Sequence, residues 1–366
     1  MKTALVYDRV NKWGGAERVL LTLHEIFPEA PLYTAVYDSA KAPWAKVFPK
    51  IYTSYLQKIP FLNRRHELSG WLTPLAFEQF DFSGYDLVVS VTSEAGKGII
   101  TRPPTKHVCY CLTPTRYLWS EREFYGRNPQ QPLNLIPFYP YVSKPFLYYA
   151  GVWDKIASTK PDVVVAISKA VQARIKKYYA RDAKVIFPPV ETDKFKILSQ
   201  NSRQKKYYLV VSRLVPYKRV DLAIKAFNKL NLPLVVVGVG SEERSLRRLA
   251  GRNIKFLGFV EDNKLASIYQ NAKALIYPQV EDFGITSIEA QAAGTPVIAF
   301  KKGGVLDTVI DGKTGIFFDK QNIDSLVDAV KRFDKMEFST QDLVNNARRF
   351  SKEVFRKNFL KMLEKI

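Results

Sequence analysis

Two glutamates stand eight positions apart in the stretch Glu281-Asp-Phe-Gly-Ile-Thr-Ser-Ile-Glu289, directly after an apolar run from Ala274 to Tyr277. Eight positions is a little more than two helical turns. We therefore expect Glu281 in the loop at a strand's end and Glu289 along the loop and helix that follow. One carboxylate would face one part of a ligand and the second another part. A cationic pair lies upstream: the strand Tyr208 to Val211 leads into Ser212-Arg213-Leu-Val-Pro-Tyr-Lys218-Arg219. Arg213 and Lys218 come just before a helix start, where cations, free N–H groups and the helix dipole together hold anions. Two cations match a diphosphate better than a single carboxylate. Three glycine-bearing loops, Val237-Gly-Val-Gly240, Gly258-Phe-Val-Glu-Asp262 and Gly303-Gly304-Val305, also follow strands. Each allows close backbone approach or positive φ. No complete GxGxxG occurs, so no NAD site is inferred. Any one of these features alone reads as a turn or a solvated side chain. Together they place several strand ends of one sheet around a polar, phosphate-bearing ligand, where open α/β sheets bind their ligands.

Strands and helices alternate along the chain. The strand Ala4 to Tyr7 runs into Trp13-Gly-Gly-Ala-Glu17 and a helical apolar pattern at Val19, Leu20, Leu23, Ile26 and Phe27. Further strands are expected at Leu87–Val91, Val108–Leu112, Val163–Ile167 and Lys184–Phe187, with Ser168 capping a helix through Tyr179. The alternation restarts at Tyr207, with strands at Tyr208–Val211, Leu234–Val237, Ile254–Leu257, Ala274–Tyr277, Pro296–Ala299 and Gly315–Phe318. Such spacing implies parallel sheets with crossover helices. The polar segment Leu198 to Lys206 is the natural linker. The fold class is α/β: two Rossmann-like, doubly wound domains facing across a cleft. Residues 1–195 would form the N-terminal domain, 196–345 the C-terminal domain, and 346–366 a helical tail.

The 366 residues suffice for two ordinary domains, and 46% apolar with 25% charged residues marks a globular chain. Met1 to Asp8 reads as a first strand rather than a signal peptide, and no apolar run reaches the ~20 residues of a membrane span. Cys109 and Cys111 are two apart on one strand, which disfavours a disulfide and suggests buried thiols in a reducing compartment. The net charge of +21 predicts attraction to polyanions or anionic surfaces. No zinc-finger spacing, basic heptad helix or RNA-reading strand motif accompanies it. Between Lys41 and Leu75, aromatics and basic residues are interleaved with Glu67 as the lone acid, a composition suited to an anionic headgroup layer. The same aromatics suit a core, with the lysines solvating its surface.

Ser212-Arg-Leu…Lys218, Gly258-Phe-Val260, Glu281…Glu289 with Phe283-Gly284, and Gly294-Thr-Pro-Val-Ile resemble the retaining glycosyltransferases of the GT-B fold, family GT4. In the first half, Gly14-Gly-Ala-Glu17, Ala95-Gly-Lys-Gly98, Tyr110 to Trp119, Ala180-Arg-Asp182 and Pro188 to Asp193 resemble a mannosyltransferase-like subgroup. The resemblance covers nearly the whole chain and implies that 1–195 is the acceptor-side domain, that 196–345 binds the nucleotide-sugar and that the helix of 346–366 packs back on the first domain. It implies that Arg213 and Lys218 hold the donor diphosphate, that Glu289 binds the ribose and that Glu281 contacts sugar hydroxyls. The backbone of Phe283 to Ile285 would assist, with Val260, Leu112 and Thr113 also on the donor. Gly14 and Gly15 would let the first loop approach the phosphates. Arg213, Lys218 and Glu281 would be the catalytic set. No metal or other cofactor is implied, and the sequence has no Asp-x-Asp at a strand end.

One departure stands out. Related sequences usually carry His where this chain has Leu112, so the donor sugar would lack one hydrogen-bond partner. A different donor sugar, a role for Thr113 or weak activity would each answer to that. The resulting expectation is a retaining, metal-independent hexosyltransferase, with mannose from GDP-mannose as the best-matched donor. Its acceptor would be a saccharide or polyprenyl-diphosphate-linked saccharide in cell-envelope glycan synthesis. It would work in the cytoplasm, peripherally on the inner face of the membrane, docking the acceptor on Lys41–Trp71 and on Asn134–Trp153, a stretch equally suited to interior packing. The alternative is a non-catalytic basic two-domain binding protein, a degenerate glycosyltransferase or nucleic-acid binder.

Overall fold

The computed structural model describes residues 1–59, 72–123, 139–195 and 205–366. Most of the linker Leu198–Lys206, the segment from Pro60 to Trp71 and the start of Asn134–Trp153 lie outside the described residues. Among the described residues thirteen strands fall into two sheets. The first contains β1 (Thr3–Tyr7), β2 (Leu32–Thr34), β3 (Ile51–Thr53), β4 (Leu87–Thr92), β5 (Lys106–Cys111), β6 (Val163–Ala166) and β7 (Lys184–Val185). Its order is β3-β2-β1-β4-β5-β6-β7 and its pairings are parallel. Among its helices are α1 (Gly15–Ile26), α2 (Thr73–Glu78), α3 (Tyr139–Ala157) and α4 (Lys169–Tyr179).

The second sheet contains β8 (Tyr207–Val211), β9 (Leu234–Val237), β10 (Ile254–Gly258), β11 (Ala272–Tyr277), β12 (Val297–Phe300) and β13 (Gly315–Phe318). Its order is β10-β9-β8-β11-β12-β13, again parallel. Its helices are α5 (Val220–Leu230), α6 (Glu243–Leu249), α7 (Asp262–Gln270), α8 (Ile285–Ala292), α9 (Val305–Thr308), α10 (Ile323–Phe333) and α11 (Thr340–Arg348), and α12 (Lys352–Leu363) follows them. Central strands such as β1, β4 and β9 are buried along their whole length, as expected where helices cover both faces of a parallel sheet. The two doubly wound parallel sheets are those expected from the alternation of apolar runs. Ser168 caps α4 through its side chain, which accepts from the Val171 N–H.

In each sheet the strand order reverses once, between β1 and β4 and between β8 and β11. These are the switch points where loops diverge and a crevice opens. By contacts the chain divides into Met1–Phe187 with Asn358–Ile366, and Pro188–Lys357. Residues 188–195, read from sequence as the end of the first domain, pack in the second unit. There the Val190 N–H bonds to the Phe350 carbonyl at 2.8 Å, and the Phe195 ring lies 5.7 Å from that of Tyr269.

The structure corrects the reading of Lys41 onward as an interfacial surface, as far as it is described. Phe48 and Leu56 are buried, Tyr52 stacks on Tyr33 at 4.6 Å, and the Trp44 indole N–H donates to the Lys12 carbonyl at 2.7 Å. Composition shows that aromatics and lysines alternate here, but the fold turns the rings inward and leaves the lysines outside. Among the described residues no helix is long and apolar enough to cross a membrane.

Cys109 and Cys111 are buried and not joined in a disulfide, and burial pushes the Cys109 thiol up to about 11. Beside them in the core, His107 on β5 contacts Ser90 on β4 through Nε2 at 2.8 Å, while its Nδ1 is buried without a partner. Burial lowers its pKa to about 3. A base with a depressed folded pKa costs nothing above its unfolded pKa of about 6.5. Below that the unfolded chain takes up a proton that the folded chain refuses, at about 1.4 kcal/mol per pH unit until about pH 3. Urea unfolding of wild type and His107→Gln at pH 7.5 and pH 5 should therefore show the stability gap shifting by about 2 kcal/mol in the variant's favour at the lower pH. A gap independent of pH would contradict a neutral, buried His107.

Candidate functional site

The loop after β8 is held by its own apolar residue. Leu214 is fully buried; its N–H bonds to the Val239 carbonyl at 2.9 Å and its carbonyl accepts from the Glu242 N–H at 2.9 Å. Arg213 is therefore left exposed on a pinned backbone, where its Nη2 donates to the Tyr217 hydroxyl at 2.5 Å. A 3-10 turn over Pro216–Lys218 brings Lys218 back toward the sheet. Its ammonium lies 5.2 Å from the centroid of the Tyr217 ring and forms an ion pair with Glu281, which stands after β11. The neighbouring Arg219 donates to Gln321 Oε1 at 3.3 Å, and Gln321 Nε2 to the Pro278 carbonyl at 2.7 Å. The strand ends of β8 and β11 are thus laced together at the switch point. Arg213, Tyr217, Lys218 and Glu281 form one continuous polar chain.

The acidic loop is set by backbone contact. The Gly304 N–H bonds to the Glu281 carbonyl at 2.8 Å. A Cβ on Gly303 would come 2.5 Å from that same carbonyl oxygen, and one on Gly304 would overlap the backbone of Asp282 and Phe283. The close backbone approach expected of these two glycines is to the loop that carries Glu281. Gly238 and Gly240 likewise let the loop after β9 lie directly on the backbone of Ser212 and Leu214. Phe283 is buried, its ring 5.6 Å from Phe350. Gly284 precedes α8, and the helix starts at Ile285 with no side-chain cap. Uncapped N–H groups at a helix start favour an anion.

Glu289 lies on α8 and is only 2% exposed; its Oε2 accepts from the Tyr269 hydroxyl at 3.1 Å. Behind it, Gln291 donates to the carbonyls of Ser287 and Thr308 at 2.9 Å, and Asn346 of α11 donates to Gln291 Oε1 at 2.6 Å. This buried network fixes α8, and with it the spacing of Glu281 and Glu289. Val260 follows β10 and is half-buried.

The remaining expected site residues lie in the first unit. Gly14 is the extended residue before α1 and Gly15 begins that helix. Leu112 is half-buried after β5, its N–H bonded to the Thr92 carbonyl at 2.8 Å, and the Thr113 hydroxyl accepts from Arg174 at 3.2 Å. Two features here escaped the sequence reading. Asp8, after β1, is buried and accepts from the Thr92 hydroxyl and the N–H groups of Ser93, Glu94 and Gly96 at 2.7 to 3.1 Å. Burial and the nearby Glu94 charge raise its pKa in spite of these donors. Glu94 in turn pairs with Arg9. The clue was an acid directly after an apolar strand.

The second feature is Asp154 on α3, 2% exposed. It accepts from Lys97 Nζ at 2.5 Å, the Thr115 hydroxyl at 2.8 Å, the Trp119 indole at 2.7 Å and the Tyr179 hydroxyl at 2.7 Å. Burial alone would lower the Lys97 pKa; the Asp154 charge outweighs it and the pKa is raised. One carboxylate thereby joins α3, α4, the Ala95–Gly98 turn and the loop after β5. Among the described residues no group of three or more His, Cys, Asp or Glu is placed to hold a metal ion.

Removing one member of a buried ion pair strands the other charge. Asp154→Ala should cost about 3–5 kcal/mol in chemical denaturation, and a loss below about 1 kcal/mol would show that Lys97 finds water or another partner.

Residues 191–350 match the family model described as glycosyl transferases group 1. An uncharacterized glycosyltransferase of Methanocaldococcus jannaschii is 33% identical over 163 residues, 42% of this chain and 41% of the relative. A GDP-mannose-dependent alpha-(1-6)-phosphatidylinositol monomannoside mannosyltransferase of Mycobacterium tuberculosis is 31% identical over 198 residues, 46% of this chain and 51% of the relative. The chain spans about half the length of the curated relatives it matches. Two solved structures share the fold. Anabaena HepE in complex with UDP has a TM-score of 0.70 at 20% identity, covering 100% of both chains. Sucrose-phosphate synthase from Thermosynechococcus elongatus has a TM-score of 0.73 at 16% identity, covering 100% of this chain and 99% of that one. Residues 191–350 thus resemble a glycosyl transferases group 1 domain, and the chain as a whole has the two-sheet GT-B fold of these structures.

Proposed function

We propose that the protein is a retaining glycosyltransferase that moves a hexose from a nucleotide-sugar donor to a saccharide or lipid-linked saccharide acceptor. The observation that carries this reading is the polar chain Arg213–Tyr217–Lys218–Glu281 at the ends of β8 and β11. It lies in the matched segment and shares its acidic loop with the uncapped start of α8. Mannose from GDP-mannose is the donor we favour, since a matched mycobacterial relative is described as GDP-mannose-dependent.

The chemistry follows from where charge develops. As the glycosidic bond to the diphosphate breaks, the sugar becomes oxocarbenium-like and negative charge grows on the leaving phosphate. Arg213, Lys218 and the α8 N–H groups meet that charge, where fixed donors are worth most. Glu281 exchanges its partner Lys218 for sugar hydroxyls and aligns the ring. Glu289, reached after local adjustment of its buried position, receives the ribose hydroxyls. The acceptor hydroxyl attacks on the face the diphosphate leaves, and the leaving phosphate takes its proton, so configuration is retained without a side-chain nucleophile. We assign charge neutralisation to these cations and none to a metal ion. We place the enzyme on the cytoplasmic face of a membrane, where a polyprenyl-diphosphate-linked acceptor would be available.

A thermal-shift panel of GDP-mannose, other GDP-sugars, UDP-sugars and ADP-glucose tests the site. The matching donor at about 100 times its Kd should stabilise by about 2.7 kcal/mol, a shift of a few degrees. Lys218→Ala and Glu289→Ala should lose the shift, and Arg213→Ala should lower turnover by about 100-fold or more. Folded protein that shifts with no donor, yet binds random DNA in a salt-sensitive way, would instead favour a non-catalytic basic binder.

A further inference from the structure

Two buried polar atoms at the end of β11 have no hydrogen-bond partner among the described residues: the hydroxyl of Tyr277 and Oε1 of Gln279. Tyr277 is 1% exposed and Gln279 2%. Ala274 and Ile276 of the same strand pack in the core shared with α5 and α10. Strand alternation therefore turns Tyr277 to the opposite face. There its hydroxyl lies against Gly284, the residue before α8, and a Cβ on Gly284 would come 2.8 Å from that oxygen. The Gly284 carbonyl is already occupied, accepting from Ser287 through its N–H at 3.1 Å and its hydroxyl at 2.7 Å. The Gln279 amide stands near the phenol but makes no hydrogen bond with it.

A buried hydroxyl without a partner has lost its hydration and gained nothing in exchange, which is why such groups are rare in folded chains. Burial and the nearby Asp282 charge raise the pKa of the phenol, so its proton stays in place to be donated. This unfavourable contact sits beneath the loop whose charge has to change partner. Glu281 is paired with Lys218, and holding a sugar requires it to let go. The loop residues that adjoin the phenol, Asp282 and Gly284, stand on either side of Phe283, whose ring is fixed against Phe350. A small rotation about that anchor moves both of them relative to the hydroxyl.

We infer that Tyr277, assisted by Gln279, is a positioning residue for the acidic loop and favours a sugar-bearing nucleotide over the bare nucleotide. With Glu281 on Lys218 the hydroxyl is unpartnered. When a donor sugar draws Glu281 away, the loop turns about Phe283 and accepts a hydrogen bond from the hydroxyl. The penalty is relieved only with a sugar in place, so the relief adds to the affinity for a nucleotide-sugar. A nucleoside diphosphate leaves Glu281 on Lys218 and gains nothing from it. This inference rests on the transferase reading above and deepens it by naming a residue that registers the sugar.

Tyr277→Phe removes the hydroxyl alone and is read in two ways. With no ligand added, its thermal midpoint should rise by about 2–4 °C, because an unsatisfied group has been removed. By calorimetry its Kd for GDP-mannose should rise about tenfold, while its Kd for GDP stays within about twofold of wild type; if the donor panel selects another nucleotide-sugar, that sugar and its nucleoside diphosphate take their place. Gln279→Met should move the midpoint and the sugar-nucleotide Kd in the same directions by less. A Tyr277→Phe midpoint that falls would mean that the hydroxyl is already satisfied, as by a water shared with Gln279, and overturns the inference. So does an unchanged Kd for the nucleotide-sugar, and so does equal weakening of both ligands, which marks a packing role. These three results leave the transferase reading standing. Wild type that binds neither ligand removes that reading and this inference with it.

Discussion

The buried carboxylate of Asp154 sets the architecture of the first unit. Taking a carboxylate and an ammonium out of water costs several kcal/mol per ion, and their mutual attraction repays it only when the remaining hydrogen-bonding capacity is also met. Here Thr115 and Trp119 of the loop after β5 and Tyr179 of α4 supply that capacity. None of them can move without leaving the charge under-solvated. Two helices, a turn and the loop after β5 are therefore fixed relative to one another more firmly than apolar contact would fix them, because apolar contact is non-directional. The indirect beneficiary is the Leu112–Thr113 segment, which hangs from the same loop.

The second unit solves its positioning problem by other means. Its ionic groups, Lys218 and Glu281, are partly exposed, and exposed pairs contribute little to stability. Their placement comes from backbone proximity, with Gly303 and Gly304 against the loop of Glu281 and Gly238 and Gly240 against the loop of Arg213. Glycine gives the loops a spacing that any side chain would widen. A site whose charges are held by steric limits can give up the Lys218–Glu281 pair to a ligand and remain in shape. A site built like the Asp154 hub could not, since removing one partner there strands a buried charge. The two units thus divide rigidity and exchangeability between them.

Much of this was legible in the residue pattern, for physical reasons that differ by element. The parallel sheets were readable because strands buried on both faces must be apolar throughout, as in Leu234–Val237. The strands β2 and β3 were not, being three residues each and too short for any period to register. Arg213, Lys218 and Glu281 were readable as strand-end residues, but their mutual contact was not, since it depends on the turn at Pro216–Lys218. The glycines announced tight approach without saying to what. Trp44, Tyr52 and Phe48 misled because composition does not say which way a ring points. Asp154 was invisible: a single acid in an aromatic helix looks like a solvated surface residue until its four donors, far apart in sequence, are seen to converge.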